Sequence, residues 1–131
     1  MLIRLARQEA DARRLAVAQA EHARIAQEAH LAAQDAQMAA EAERAREGPD
    51  SMALWSRWIG AARRERQKRE QALLQAHLAE EAAREALREE FARMKRLEIA
   101  QQQHEDAARL VAARKAEQRS EETEMLKRQG R

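Results

Sequence analysis

The sequence predicts an all-α protein, an elongated two-helix antiparallel coiled-coil hairpin whose second helix is the longer. Three observations carry that expectation. Only 2% of the 131 residues are aromatic while 37% are charged, and alanine, the best helix former, dominates the apolar fraction, which is the composition of a coiled coil rather than of a rounded core. No Gly or Pro occurs between Met1 and Glu47, and after Ser51 only Gly60 interrupts the run that continues almost to Gln129. Between the two runs lies a single break, Gly48-Pro49-Asp50-Ser51. One elongated domain over residues 1–131 follows, with helix one at about 2–47, a turn at 48–51 and helix two at about 52–128.

Helix one carries a seven-residue pattern through Leu5, Ala12, Leu15, Gln19, His22, Ala26, Ala29, Ala33, Ala36 and Ala40. Spacings of three and four keep such residues on one side of a helix, so this stripe is the expected seam. At the break, Gly48 has the freedom to close helix one in the left-handed conformation, Pro49 cannot extend it, and Asp50 or Ser51 is suited to cap the next helix. A connection this short favours a hairpin. Helix two offers Leu73, Ala76, Ala83, Leu87, Phe91, Met94 and Leu97 as its stripe, continued by Gln101, His104, Ala108 and Val111.

Folding the chain at the break places opposite one another residues whose numbers sum to about 99. Leu2 then meets Leu97, Leu5 meets Met94, Ala12 meets Leu87, Ala26 meets Leu73, and Trp58 lies near Glu41 with Ile59 near Ala40. Helix one is expected to end opposite Leu97, leaving residues from Glu98 onward as a single unpartnered arm. At 1.5 Å per residue the two helices measure ~70 and ~115 Å.

Charge and chemistry narrow the function. Lys and Arg number 25 against 23 Asp and Glu, for a net +2, and the interleaving of the signs is that of a solvated helical surface; no nucleic-acid partner is expected. The basic run Arg63 to Arg69 distributes its charges around the helix. No apolar stretch reaches the ~20 residues of a membrane span. The start, Met1 to Arg7, lacks the long apolar segment and cleavage site of a secretory signal, so a cytoplasmic protein is expected. There is no cysteine, no Gly-rich phosphate loop and no arrangement of nucleophile, base and orienting group, so neither catalysis nor a cofactor is expected. Acidic pairs such as Glu80-Glu81 and Glu89-Glu90 are expected on the surface. His22 would face His77, and space-filling in the seam is preferred there to a metal layer.

Two stretches stand out as contact sites. Trp55 and Trp58 with Ile59, beside the break, are either a cap on the hairpin tip or an anchor for a partner. The other is the polar tail after Arg109, either a solvated helix end or a helix read by another protein.

Taken together, the long first helix, the break near residue 48, Trp58-Ile59 soon after it, the Leu87 to Leu97 stretch and the tail Glu117-Gln118-Arg119-Ser120-Glu121-Glu122 resemble the small coiled-coil proteins of type III secretion, the FliJ family of flagellar export and its YscO-type injectisome counterparts. The resemblance covers most of the chain, and its specific parts are Trp58-Ile59 and the tail. It implies a non-enzymatic stalk seated in the hexameric secretion ATPase and linked to the export gate, cytoplasmic and peripheral at the inner-membrane apparatus, with export chaperones as further partners. On that analogy Arg4, Arg7, Arg109, Arg114, Lys115, Gln118 and Arg119 enter the ATPase, and Trp55, Trp58 and Ile59 face the gate. Arg63, Arg64 and Lys68 stand where flagellar members are more aromatic and apolar, so an injectisome member is as well matched as a flagellar one. The alternative from another class is a cytoplasmic scaffold, or an adaptor on nucleic acid or membrane, unrelated to secretion.

Overall fold

The computed structural model describes residues 1–130. Two helices account for nearly all of it: α1, Leu2–Ala45, of 44 residues, and α2, Pro49–Gln129, of 81. They pack against each other as an antiparallel hairpin. At 1.5 Å per residue they are ~66 and ~120 Å long, so α2 outruns α1 by about half its length.

The connection is tighter than the sequence suggests and is built differently. Arg46, right-handed at φ −76°, follows the last residue of α1, and the N–H groups of Arg46 and Glu47 reach back to the carbonyls of Glu43 and Arg44 at 3.2 and 3.1 Å. Those shortened bonds satisfy carbonyls that the helix end would leave open. Gly48 does not enter the left-handed region; it is extended, with φ 172° and ψ 176°. Its carbonyl accepts the Met52 N–H at 3.0 Å, and Pro49 opens α2 in the first-turn position that suits its missing N–H. Asp50 and Ser51 therefore lie inside the helix rather than capping it, and Asp50 places its negative charge beside the positive end of the helix dipole.

The seam of α2 runs through Trp55, Ile59, Ala62, Arg66, Arg69, Leu73, Ala76, Glu80, Ala83, Leu87, Glu90, Met94 and Leu97, each shielded from solvent, at unbroken spacings of four and three. The expected stripe is in place from Leu73 to Leu97 except at Phe91, which lies beside the seam under Arg14 while Glu90 takes the seam position, and its continuation through Gln101, His104, Ala108 and Val111 is exposed. On α1 the seam is not the alanine stripe. It is Ile3, Ala6, Ala10, Val17, Ala20, Arg24, Gln27, Leu31, Gln34, Met38, Glu41 and Ala45. The stripe from Leu5 to Ala40 is displaced by two residues, roughly 200° around the helix, and faces solvent: Leu5 is 52% and Leu15 60% exposed. The physical reason is size, since Ile3, Val17, Leu31 and Met38 remove more apolar surface from water than alanines do.

Contacts between the helices fix their stagger. Residue numbers add to 96 for Gln34 with the Ala62 carbonyl and to 101 for Asp35 with Arg66. They add to 104 for Arg24 with Glu80, and to 105 for Glu28 with His77, Arg14 with Phe91 and Arg7 with Glu98. The expected value of about 99 falls inside this range, and the reach of long side chains along the axis accounts for its spread. His77 meets Glu28 rather than His22. Toward the open end, Met1, Leu2 and Ile3 share a groove with Leu97, Ala100, Gln101 and His104. Pairing thus continues past Leu97 to about Glu105, the last shielded residue, and the unpartnered arm begins at Asp106 rather than Glu98.

Candidate functional site

Two candidate regions lie at opposite ends of the rod, and a third feature between them went unread in the sequence. At the hinge, Trp55, Trp58 and Ile59 are all half-buried. Trp55 and Trp58 line an open groove with Glu41, Arg44, Ala45, Ser51 and Leu54, which places Trp58 beside Glu41 as the register predicts. Trp55 and Ile59 occupy seam positions, so one large ring and a branched side chain close the tip of the hairpin against Ala45 and Glu41. The Trp55 indole N–H is shielded and has no hydrogen-bond partner. Outward from them stand Met52, 45% exposed, and Leu54, 67% exposed. These two the sequence reading passed over, although an exposed Leu beside two Trp is a visible signal.

At the open end, Arg4 and Arg7 line a shallow groove with Met1, Ile3, Gln8, Asp11 and Gln101, and Arg7 lies 3.9 Å from Glu98. Arg109, Arg114, Lys115, Gln118 and Arg119 stand on the arm, all exposed. Spacings of one, three, four and five put Arg114, Lys115, Gln118 and Arg119 on one side, and Arg109 on the other, 3.7 Å from Asp106. Counting from the Arg7–Glu98 pair, Arg109 is ~16 Å and Arg119 ~30 Å farther along the axis. The seven residues form a line along the rod rather than one compact site.

Midway along, Glu80 is the one buried charged side chain among the described residues, 7% exposed. It accepts hydrogen bonds from Arg84 Nη2 at 2.7 Å and from Arg24 Nε, and Arg24 also holds Glu28 at 2.9 Å. The Arg84 hydrogen bond, then that of Arg24 and the two positive charges, hold the Glu80 carboxyl below its ordinary range against the opposing effect of desolvation. Glu80 is therefore not the surface residue its place in an acidic pair suggests. Its signal was a gap: the apolar stripe steps by seven from Ala76 to Ala83, and a three-four repeat requires a residue between them.

Within the basic run, Arg66 and Arg69 are engaged. Arg66 pairs with Asp35 at 2.6 Å and with Glu70, and Arg69 lies 3.8 Å from Glu65. Arg66 keeps the Asp35 carboxyl below its usual value by hydrogen bonding to it. Among the described residues no group of three or more His, Asp or Glu is placed to hold a metal ion, and no helix is long and apolar enough to cross a membrane. Comparison with protein-family models, curated proteins and solved structures found no match to the chain.

Proposed function

We propose that the chain is the central stalk of a type III secretion ATPase, with the arm seated in the channel of the hexamer and the hinge end turned toward the export gate. The observation that carries this reading is the arm itself: Asp106 to Gln129 continues α2 for ~36 Å beyond the last shielded residue, exposed on every side. A bare polar helix of that length is marginal alone and gains most from a surrounding partner. Within a ring of subunits, Arg114, Lys115, Gln118 and Arg119 would make exchangeable ionic contacts, while Arg4 and Arg7 would meet the rim. Weak polar contacts suit a shaft that must change neighbours as nucleotide states change, whereas a fixed apolar anchor would hold it in place. At the other end, Trp55, Trp58 and Ile59 with exposed Leu54 supply the apolar contact for the gate, and export chaperones are further partners of the same rod. The protein would then work in the cytoplasm at the inner-membrane apparatus.

The test is ATP hydrolysis by the partner hexamer with the full chain and with a chain ending at Glu105. All the cross-helix contacts lie at or before that residue, so the shortened hairpin keeps its fold. Loss of stimulation with the melting transition retained is the expected result, and full stimulation by the shortened chain would overturn the reading. Reversal of charge at Arg114 and Lys115 together is expected to weaken stimulation in the same direction.

A further inference from the structure

Ion pairing divides the basic residues near the hinge into two sets. Arg66 and Arg69 sit in the seam, where Arg66 holds Asp35 and Glu70 and Arg69 lies near Glu65. Arg57, Arg64 and Lys68, at steps of seven and four, share the outer side of α2, are exposed, and have no carboxylate partner among the described residues. Arg64 reaches back over Gly60, where a Cβ would lie 3.6 Å from its Nη1, which carries its charge toward Arg57. The carboxylates nearest this row are Glu65, beside Arg69, and Asp50, ~10 Å before Arg57 along the axis.

The row stands along the edge of a groove between the helices, because Ala61 in the groove wall is four residues after Arg57 and three before Arg64. Ala33, Gln34, Gln37, Trp58, Ala61 and Arg69 line one part of it. Trp58 also lines the open groove at the hinge and joins the two parts, from Ser51 to Arg69, over ~27 Å. Charges inside the groove, Glu41 with Arg44 and Glu65 with Arg69, are paired with each other. Three shielded polar atoms of its lining residues have no hydrogen-bond partner within the described chain: Trp55 Nε1, Arg69 Nε and Gln34 Oε1. Shielded polar groups are ordinarily partnered, so a cluster of three marks a surface that is incomplete.

We propose that this groove receives an amphipathic helix of another protein, apolar on the side laid into the groove and acidic on the flank that meets Arg57, Arg64 and Lys68. Three features select that occupant. The apolar surface is concave, a furrow between two helices, which fits a rod and not a bilayer. Its length is that of a helix of about 18 residues, five turns. Its edge is cationic and unpaired, and carboxylates facing it fall at i, i+7 and i+11 in a parallel helix, or at i, i+4 and i+11 in an antiparallel one. Such a helix also brings acceptors to the two unpartnered N–H groups. The site lies at the hinge end that the stalk reading turns toward the gate, but it is argued from the groove alone and tested without any secretion component, so either can fail without the other.

Intrinsic fluorescence tests it, since Trp55 and Trp58 are the chain's only tryptophans and both line the groove. The probe is a synthetic Trp-free helix of about 18 residues, with Leu and Ala on one side and Glu at i, i+4, i+7 and i+11 to serve either direction. It is expected to shift the Trp emission saturably with a Kd of roughly 1–100 μM. With Lys in place of its Glu residues it is expected to bind at least about tenfold more weakly. Arg57→Glu, Arg64→Glu and Lys68→Glu together, at exposed positions that keep the helix content, are expected to reverse that preference, so that the altered chain takes the Lys peptide and rejects the Glu peptide. No shift with the Glu peptide, equal binding of the two peptides, or a preference unmoved by the charge reversal would each overturn the proposal. A shift given by phosphatidylglycerol vesicles or single-stranded DNA and not by the Glu peptide would assign the row to lipid or nucleic acid and overturn it as well.

Discussion

Within α2, the stretch from Pro49 to Glu105 and the arm from Asp106 to Gln129 use the same residue types on one continuous backbone, yet only the first has a partner. The difference lies in what occupies every third and fourth position. The paired stretch offers Leu73, Leu87, Met94 and Leu97 at those steps, and even its polar seam residues, Arg66, Glu80 and Glu90, lie with their stems against α1. On the arm the continuing steps give Ala108, Val111, Lys115 and Gln118, with Val111 50% exposed. Helix propensity is shared between the two stretches, and the cross-helix packing is not.

Hydrogen exchange should separate the two stretches most widely. Amides between Leu73 and Leu97 are expected to exchange only through opening of the hairpin, and those of Arg109 to Thr123 at least about a hundredfold faster. Equal protection along α2 would mean that the arm is held by something other than its own propensity. Core truncation follows in size: Leu87→Ala in the half-buried seam is expected to destabilise by about 1–2 kcal/mol, against less than ~0.5 kcal/mol for Val111→Ala, measured by urea unfolding.

Acid should act on the paired region alone. Glu80 and Asp35 titrate below their ordinary values of 4.5 and 3.8 in the folded chain. Their contribution to stability is therefore present above those values and is lost as pH falls through the lower, folded ones. Glu80→Gln is expected to flatten that acid dependence, read from melting temperature against pH, and an unchanged slope would place Glu80 outside the balance. The smallest effect belongs to Gly60, where an added Cβ would meet only Arg64 Nη1, at 3.6 Å. Gly60→Ala is expected to raise stability by about 0.5–1 kcal/mol, and a fall would reveal a close approach to α1 at that level.

The break, the two helices and their unequal lengths were legible because Gly, Pro and a change of pattern mark them unambiguously. The α2 seam was legible for the same kind of reason: Leu73, Leu87, Met94 and Leu97 stand out from a polar background, although Phe91, equally prominent, lies beside the seam. The α1 seam was not. Alanine occupies both sides of that helix, so the longest repeat of alanines competes with a seam whose bulky members, Ile3, Val17, Leu31 and Met38, are separated by Arg24, Gln27 and Gln34. Long polar side chains can serve as seam residues by laying their stems along the partner, and a reading of apolar residues alone passes over them. Glu80 was hidden twice over, as a charge and as one of an adjacent acidic pair. At the tip, the two Trp residues stand out in a chain with one other aromatic residue, whereas the extended backbone at Gly48 leaves no mark in the sequence.

Between Pro49 and Gln129 there is no proline after the first position, and among the described residues nothing divides α2 into separate segments. Kinks arise at such interruptions, and without them a helix deforms only by gentle bending. In mechanical terms α2 has no joint. A twist or a push delivered at Arg119 reaches Trp55 along one unbroken hydrogen-bonded column, with α1 bracing the longer part nearest the hinge. Whatever grips the bare arm thus acts, across about 100 Å, on whatever touches the two tryptophans.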